Sequence, residues 1–133
     1  WPPDAPDPYL AGEVAAPAEP NEEVDYTIYF LSDGNTPVDN IQICDFVPDN
    51  TTYVTGSLVM NLGNAGDVAR SDAADADDGE NFAFGATPGA PCPAVGNTDG
   101  GIFVRIPGTA DNATGPGAPA SSFGYIQFTV RVD

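Results

Sequence analysis

Residues 23–53 alternate apolar and polar side chains in two separate runs. In the first run every second residue is apolar from Val24 to Phe30, and in the second the apolar positions are Ile41 and Ile43. A period of two is what a β-strand with one buried face requires. Residues 33–37 between the runs include the turn formers Asp, Gly and Pro. The pattern therefore predicts consecutive strands that are joined by turns and share one core.

Similar signals recur along the rest of the chain, separated by segments rich in Gly, Ala, Asp and Pro. The most regular alternation is in residues 125–132, and a shorter one occupies residues 102–106, with Ile102, Val104 and Ile106 inward. About seven strands with turn residues between them are typical of an immunoglobulin-like antiparallel β-sandwich, so the predicted fold is all-β. The predicted strands are residues 9–17, 23–31, 38–46, 51–61 with a bulge or bend at Gly56, 82–84, 102–106 and 125–132.

Residues 1–17 are predicted to form an N-terminal arm, and residues 18–133 the sandwich domain. Four prolines in residues 1–8 favour an extended polyproline II conformation. The rest of the arm predicts an edge strand whose inward face consists of Leu10, Gly12, Val14 and Ala16. Two interpretations are open: the arm lies along its own domain, or its strand is added to the sheet of a neighbouring copy. In the second, the subunit interface is formed by Trp1, Tyr9, Leu10 and Val14.

The net charge is −17, from twenty acidic residues against three arginines. Such a charge repels nucleic acid phosphates and anionic lipid headgroups, so neither is an expected partner, and it attracts cations. The absence of His and Lys excludes Ser-His-Asp and Cys-His catalysis, His-ligated zinc and a Schiff base. Asp45 and Asp49 are interpreted as turn formers rather than catalytic acids. We therefore expect no enzymatic activity, no catalytic residue and no organic cofactor.

No run approaches the roughly 18 apolar residues of a membrane span, so no membrane insertion is expected. The chain begins at Trp1 rather than Met and shows no signal segment, as expected of a secreted product whose signal was removed, or of a fragment. Cys44 and Cys92 belong to no CxxC motif. In an extracellular β-domain an even number of cysteines favours one disulfide between them, the alternative being two unrelated buried thiols.

An acidic segment around Gly79 offers enough carboxylates to surround a Ca²⁺ ion with oxygen ligands. The spacing does not match an EF-hand, and the alternative is a solvated acidic loop. Two Asn-X-Thr sequences begin at Asn50 and Asn112 and are candidate N-glycosylation sites. The candidate metal ligands are Asp72, Asp75, Asp77, Asp78 and Glu80.

Several short motifs carry a resemblance to a known family. They are VDYTI at residues 24–28, GNT at 34–36, DFVP at 45–48, TYVTGS at 52–57 and the closing strand GYIQFTVRV at 124–132. Together they resemble the β-sandwich repeat domain of unknown function, DUF-eleven, of bacterial and archaeal surface proteins. The resemblance implies an extracellular, non-enzymatic role in envelopes, adhesins and fibres. This chain departs from the family in having a single module and a Pro-rich arm.

From these observations we expect the structural subunit of an extracellular, pilus-like filament or cell-surface assembly. Identical subunits would polymerise head-to-tail by adding the N-terminal strand of one copy to the sheet of the next. The alternative is a calcium-stabilised surface adhesin or carbohydrate-binding module, for which glycans and cations are the expected ligands.

Overall fold

The computed structural model describes residues 17–63, 65–73, 78–83, 99–106, 109–110 and 122–133, with the backbone alone for 109–110. This part of the chain consists of strands and turns without an α-helix, so no described helix could cross a membrane. Its strands are β1 Glu23–Leu31, β2 Val38–Asp39, β3 Gln42–Phe46, β4 Thr51–Tyr53, β5 Val59–Leu62, β6 Val68–Ala69, β7 Gly79–Phe82, β8 Gly101–Arg105, β9 Thr109–Ala110 and β10 Phe123–Val132.

Two antiparallel sheets form the sandwich, which confirms the predicted all-β fold. The larger sheet has the order β1-β10-β5-β6, and β4 also pairs with β10. The smaller sheet has the order β3-β8-β7, and β2 and β9 form a separate two-stranded ribbon. Strand β10 is central in the larger sheet, since it pairs with β1 along one edge and with β4 and β5 along the other.

The core lies between the sheets and is built from alternate residues of the strands. On β10 the fully buried side chains are Ile126, Phe128 and Val130, each with 0% exposure. On β8 and just after it, Ile102, Val104 and Ile106 are buried, as the alternation predicts. The remaining buried members of the core are Val47, Leu58 and Met60.

Two predicted strands are broken in the structure. Residues 38–46 divide into β2 and β3 because Asn40 has a positive φ of 57°. Residues 51–61 divide into β4 and β5, which run in the same direction along one edge of β10 and are separated by a bulge with a φ of 79° at Gly56. The predicted bulge or bend at Gly56 is therefore confirmed, but it interrupts the ladder, so residues 51–61 form two short strands instead of one.

The smaller sheet is buried on both faces, which strict alternation does not predict. Phe103 points away from the main core, yet it is only 7% exposed. It packs with Phe82 in a second cluster, against which Cys44 and Phe46 also pack. The predicted strand 82–84 corresponds to β7, which ends at Phe82, while Phe84 lies outside the described residues.

Candidate functional site

The two lateral sides of the sandwich are closed to different extents. On one side, β7 meets the chain that follows β6: Asn81 N–H donates to the carbonyl of Asp72 at 3.1 Å. Near Gly79, Arg70 N–H donates to the carbonyl of Leu58 at 2.8 Å. We call this the closed side; its residues are Leu58, Arg70, Asp72, Gly79 and Asn81.

Because β6 and β7 meet on the closed side, the opposite edge strands β1 and β3 lie together on the other. Their inward apolar residues pack against the core, but all of them remain partly exposed. No described strand covers the outer edge of either β1 or β3. We call this the open side; its residues are Val24, Tyr26, Ile28, Phe30, Ile41 and Ile43.

The outer edge of β1 presents backbone groups at regular intervals. At its two ends, Glu22 C=O accepts from Val132 N–H at 2.9 Å and Ser32 N–H donates to Ser122 C=O at 2.7 Å. In an antiparallel ladder alternate residues point to the same neighbour, so the even-numbered residues face β10. The peptide groups of odd-numbered residues such as Asp25 and Thr27 therefore face the outer edge.

A tight turn brings the N-terminal segment to the beginning of β1. Glu22 N–H donates to Glu19 C=O at 3.0 Å, with Pro20 second and Asn21 third at a φ of 71°. These are the features of a type II turn. Asn21 N–H also donates to Val132 C=O at 2.8 Å, so the turn is attached to β10. The predicted interface residues Trp1, Tyr9, Leu10 and Val14 all lie outside the described residues.

Asp45 is a charged residue on the inner face of β3. It pairs with Ile102 across the ladder, and directly opposite residues share one face of a sheet. Burial raises the pKa of its carboxyl, and the hydrogen bond from Phe46 N–H to Oδ1, at 2.9 Å, opposes that shift. Asp45 is thus a strand residue rather than the turn former expected, whereas Asp49 lies in the turn after Pro48.

The described carboxylates of the acidic segment have partners within the protein. Asp72 Oδ1 accepts from the Tyr53 hydroxyl at 2.6 Å, and Oδ2 accepts from Gly56 N–H at 2.7 Å. Burial, followed by this hydrogen bond to Asp72, raises the pKa of Tyr53. Asp78 forms an ion pair with Arg105 at 3.6 Å.

The calcium site stays a prediction. Glu80 lies on β7, while Asp75 and Asp77 lie outside the described residues. Among the residues that the structure describes, no group of three or more acidic or cysteine side chains is arranged to hold a metal.

The remaining predicted sites are described only in part. Cys44 is half-buried on β3, and Cys92 lies outside the described residues, so their bridge stays a prediction. Asn50 is exposed in a turn with a φ of 61°. Asn112 lies outside the described residues, and glycosylation of both positions stays a prediction.

A polar cluster on the outer face of the larger sheet was not predicted. The Tyr125 hydroxyl donates to the Asp67 carboxylate, and Asn61 Nδ2 donates to the same oxygen at 3.0 Å. These two hydrogen bonds, that of Tyr125 first, lower the pKa of Asp67. The ring of Tyr29 meets that of Tyr125 edge-on, with centroids 5.8 Å apart. Alternation indicates only that the tyrosines point outward; their proximity to Asp67 depends on strand pairing.

No known family model, no curated protein and no solved structure matches the chain. The similarity of residues 24–57 and 124–132 to DUF-eleven therefore stays a resemblance in short motifs.

Proposed function

We propose that this protein is a secreted structural subunit of an extracellular filament or cell-surface assembly. Subunits polymerise head-to-tail when the N-terminal arm of one copy adds a strand to the sandwich of the next. The observation that carries this proposal is the open side, where two edge strands leave their inward apolar residues partly exposed.

Two edge strands that no other described strand covers leave their inward apolar side chains partly exposed. Such edges associate with other strands unless they are covered or blunted. An added strand satisfies the peptide groups and places alternate side chains into the gap between the sheets. Burying a Leu and a Val from an exposed state contributes about 1.5–3 kcal/mol each, so Leu10 and Val14 supply a substantial driving force.

The acidic composition places a condition on assembly. Each subunit carries a net charge of −17, so neighbouring copies repel one another. Salt at about 0.15 M reduces the Debye length to roughly 8 Å and screens this repulsion. Polymerisation should therefore require salt or divalent cations. In the same proposal, a Cys44–Cys92 disulfide keeps each subunit rigid.

Negative-stain electron microscopy of four proteins tests the proposal. They are the full chain, a chain lacking residues 1–17, the Leu10→Asp variant and the Ala11→Asp variant. Position 10 is on the inward face of the predicted strand and position 11 on the outward face, so the two Asp substitutions add equal charge. Filaments are expected from the full chain and from Ala11→Asp, and monomers from the other two. Monomers from the full chain at matched salt, or filaments from the truncated chain, would contradict the proposal.

The outer face of the larger sheet favours a second candidate, a carbohydrate-binding module of a surface adhesin. Tyr29 and Tyr125 lie beside Asn61 and Asp67. Aromatic rings with neighbouring amide and carboxylate groups are the usual means of holding sugar hydroxyls and ring faces. Isothermal titration of the full chain with soluble oligosaccharides, with and without Ca²⁺, tests this candidate. Binding that is lost in Tyr125→Ala would support it, and no heat from any sugar would count against it.

A further inference from the structure

We infer that the acceptor for strand addition is the outer edge of β1, and that the donor is residues 9–16 of a second copy. This inference rests on the proposed function and specifies its interface. In it, Leu10, Gly12, Val14 and Ala16 face the open side of the acceptor subunit, while the alternate residues of the donor face solvent.

Strand β1 is a better acceptor than β3 because its ladder is longer and uninterrupted. It contains nine residues, all of which pair with β10 in one continuous register. Strand β3 contains five residues and is separated from β2 by the left-handed Asn40. A donor strand that follows β3 would therefore meet a bend after few hydrogen bonds, whereas one on β1 would not.

The dimensions of the arm match the length of β1. Strands extend about 3.3 Å per residue, so residues 9–16 span roughly 26 Å and β1 roughly 30 Å. The open side offers four inward positions on β1, at Val24, Tyr26, Ile28 and Phe30, and the donor supplies four inward residues. Strand and edge are thus similar in length and have the same period.

The turn before β1 opposes pairing of the arm with its own β1. A tight two-residue hairpin favours type I′ or II′ turns, because type I and II turns splay the two strands. A hairpin closed at residues 19–22 would also need Glu19 N–H to donate to Glu22 C=O. Instead, Glu19 N–H donates to the Glu22 carboxylate at 2.8 Å, and Glu22 C=O accepts from Val132. The turn therefore does not begin a hairpin with β1, and no described strand pairs with the outer edge of β1.

Equal numbers of inward positions determine a central contact whichever way the donor runs. When four donor residues face four β1 residues, Glu13 lies opposite Thr27 in both the parallel and the antiparallel arrangement. Thr27 alternates with inward residues, and its peptide faces the outer edge. Two cysteines at these positions would have the Cα separation of about 4.4–6.8 Å that a disulfide needs.

The test uses two full-length single variants, Glu13→Cys and Thr27→Cys, mixed under filament-forming conditions and oxidised. On a denaturing gel without reductant we expect a band at twice the subunit mass, several-fold stronger in the mixture than in either variant alone. This band should disappear when a reductant is added. The parent chain measures any background from Cys44 and Cys92. Because the two cysteines are on different molecules, this band reports contact between copies only. The matched control replaces Thr27→Cys by Gln42→Cys, which places the thiol on β3.

Each alternative outcome is distinct. Filaments whose dimer band appears with Gln42→Cys, or with neither acceptor, would overturn the assignment to β1 and leave the filament proposal standing. A double Glu13→Cys/Thr27→Cys variant that cross-links within single chains, with no dimer from the mixture, would show that the arm covers its own domain. Absence of filaments from the parent chain would overturn the proposed function itself.

Discussion

The closed and open sides of this sandwich are built from the same kind of strand but differ in what completes them. On the closed side, Asp72 accepts hydrogen bonds from Tyr53, Gly56 and Asn81, which join β4, β7 and the turn after β4. On the open side, β1 and β3 end their sheets, and their apolar residues stay partly exposed. Alternation therefore identifies the inward face of a strand, whereas the depth of burial depends on the neighbours of that strand.

The largest expected contrast comes from removing one aliphatic side chain on each side. Leu58 has 0% exposure on the closed side, so Leu58→Ala should lower the free energy of unfolding by about 2–5 kcal/mol. Ile28 is partly exposed, so Ile28→Ala in the monomer should lower it by about 1–2 kcal/mol. Urea unfolding at low salt measures both. Equal losses would mean that the open side is covered in the monomer.

Two glycines allow a second comparison, because an added Cβ would be crowded at Gly79 on the closed side and not at Gly34. A Cβ at Gly79 would lie 2.6 Å from Arg70 Cβ and 3.2 Å from Leu58 Cδ2. Arg70 Cβ is fixed by the backbone, and Leu58 is fully buried in the core, so neither can move aside easily. Gly79→Ala should therefore cost about 1–3 kcal/mol. In the connection after β1, the nearest atom to a Cβ at Gly34 is 3.8 Å away, so Gly34→Ala is the control and should change stability little. If Gly79→Ala did not lower the free energy of unfolding, the side chains of Arg70 and Leu58 would have to move aside without cost.

The carboxylate of Asp72 offers a third comparison. Asp72→Asn keeps one acceptor oxygen but turns an amide N–H₂ toward either the Tyr53 hydroxyl or Gly56 N–H. Losing a hydrogen bond to a charged group should cost about 1–2 kcal/mol. Asp33→Asn makes the same chemical change at an exposed turn position beyond β1 and is the matched control. Thermal unfolding measures both variants. Equal melting temperatures for Asp72→Asn and Asp33→Asn would contradict our account of the closed side.

The strands with the strongest alternation were predicted well. The prediction for residues 23–31 coincides with β1, and that for 125–132 lies within β10. Each has a long period of two that local turns do not interrupt. A bulge or bend at Gly56 was predicted, but its extent was not, because Val54 and Leu58 on either side continue the apolar pattern. Six positions separate Tyr53 from Val59, whereas their partners on β10, Val130 and Gln127, are three apart.

Features that depend on distant residues were not predictable from the pattern. Alternation places Phe103 on the opposite face of β8 from the core, but Phe82 and Cys44 come from two other strands to pack with it. Tyr125 and Asp67 meet only because β5 pairs with β10. The open side likewise follows from which strands end each sheet. The sequence does predict the donor, since Leu10 and Val14 belong to an alternating segment, but not its acceptor.

The substitution expected to change stability least is that of Asp45 on β3, and it should stabilise the protein, whereas those above destabilise it. Burial raises the pKa of Asp45, so the folded state binds this proton more tightly than the unfolded chain does. Stability from Asp45 is therefore present below the unfolded pKa near 3.8 and is lost as the pH rises through the folded pKa. Asp45→Asn removes the charge and retains an oxygen that can accept from Phe46 N–H. At pH 7 the variant should be more stable than the parent, by less than about 1 kcal/mol because the group is only half-buried.

The same substitution separates the two sides when its pH dependence is measured. The stabilisation by Asp45→Asn should shrink as the pH falls through the folded pKa of Asp45, because the carboxyl of the parent is then neutral in the folded state. Urea unfolding at several pH values gives the difference between Asp45→Asn and the parent, so the titration of the other carboxylates cancels. A constant difference for Asp45→Asn would mean that water reaches this carboxylate freely, and that the open side is wetter between the sheets than its apolar residues suggest.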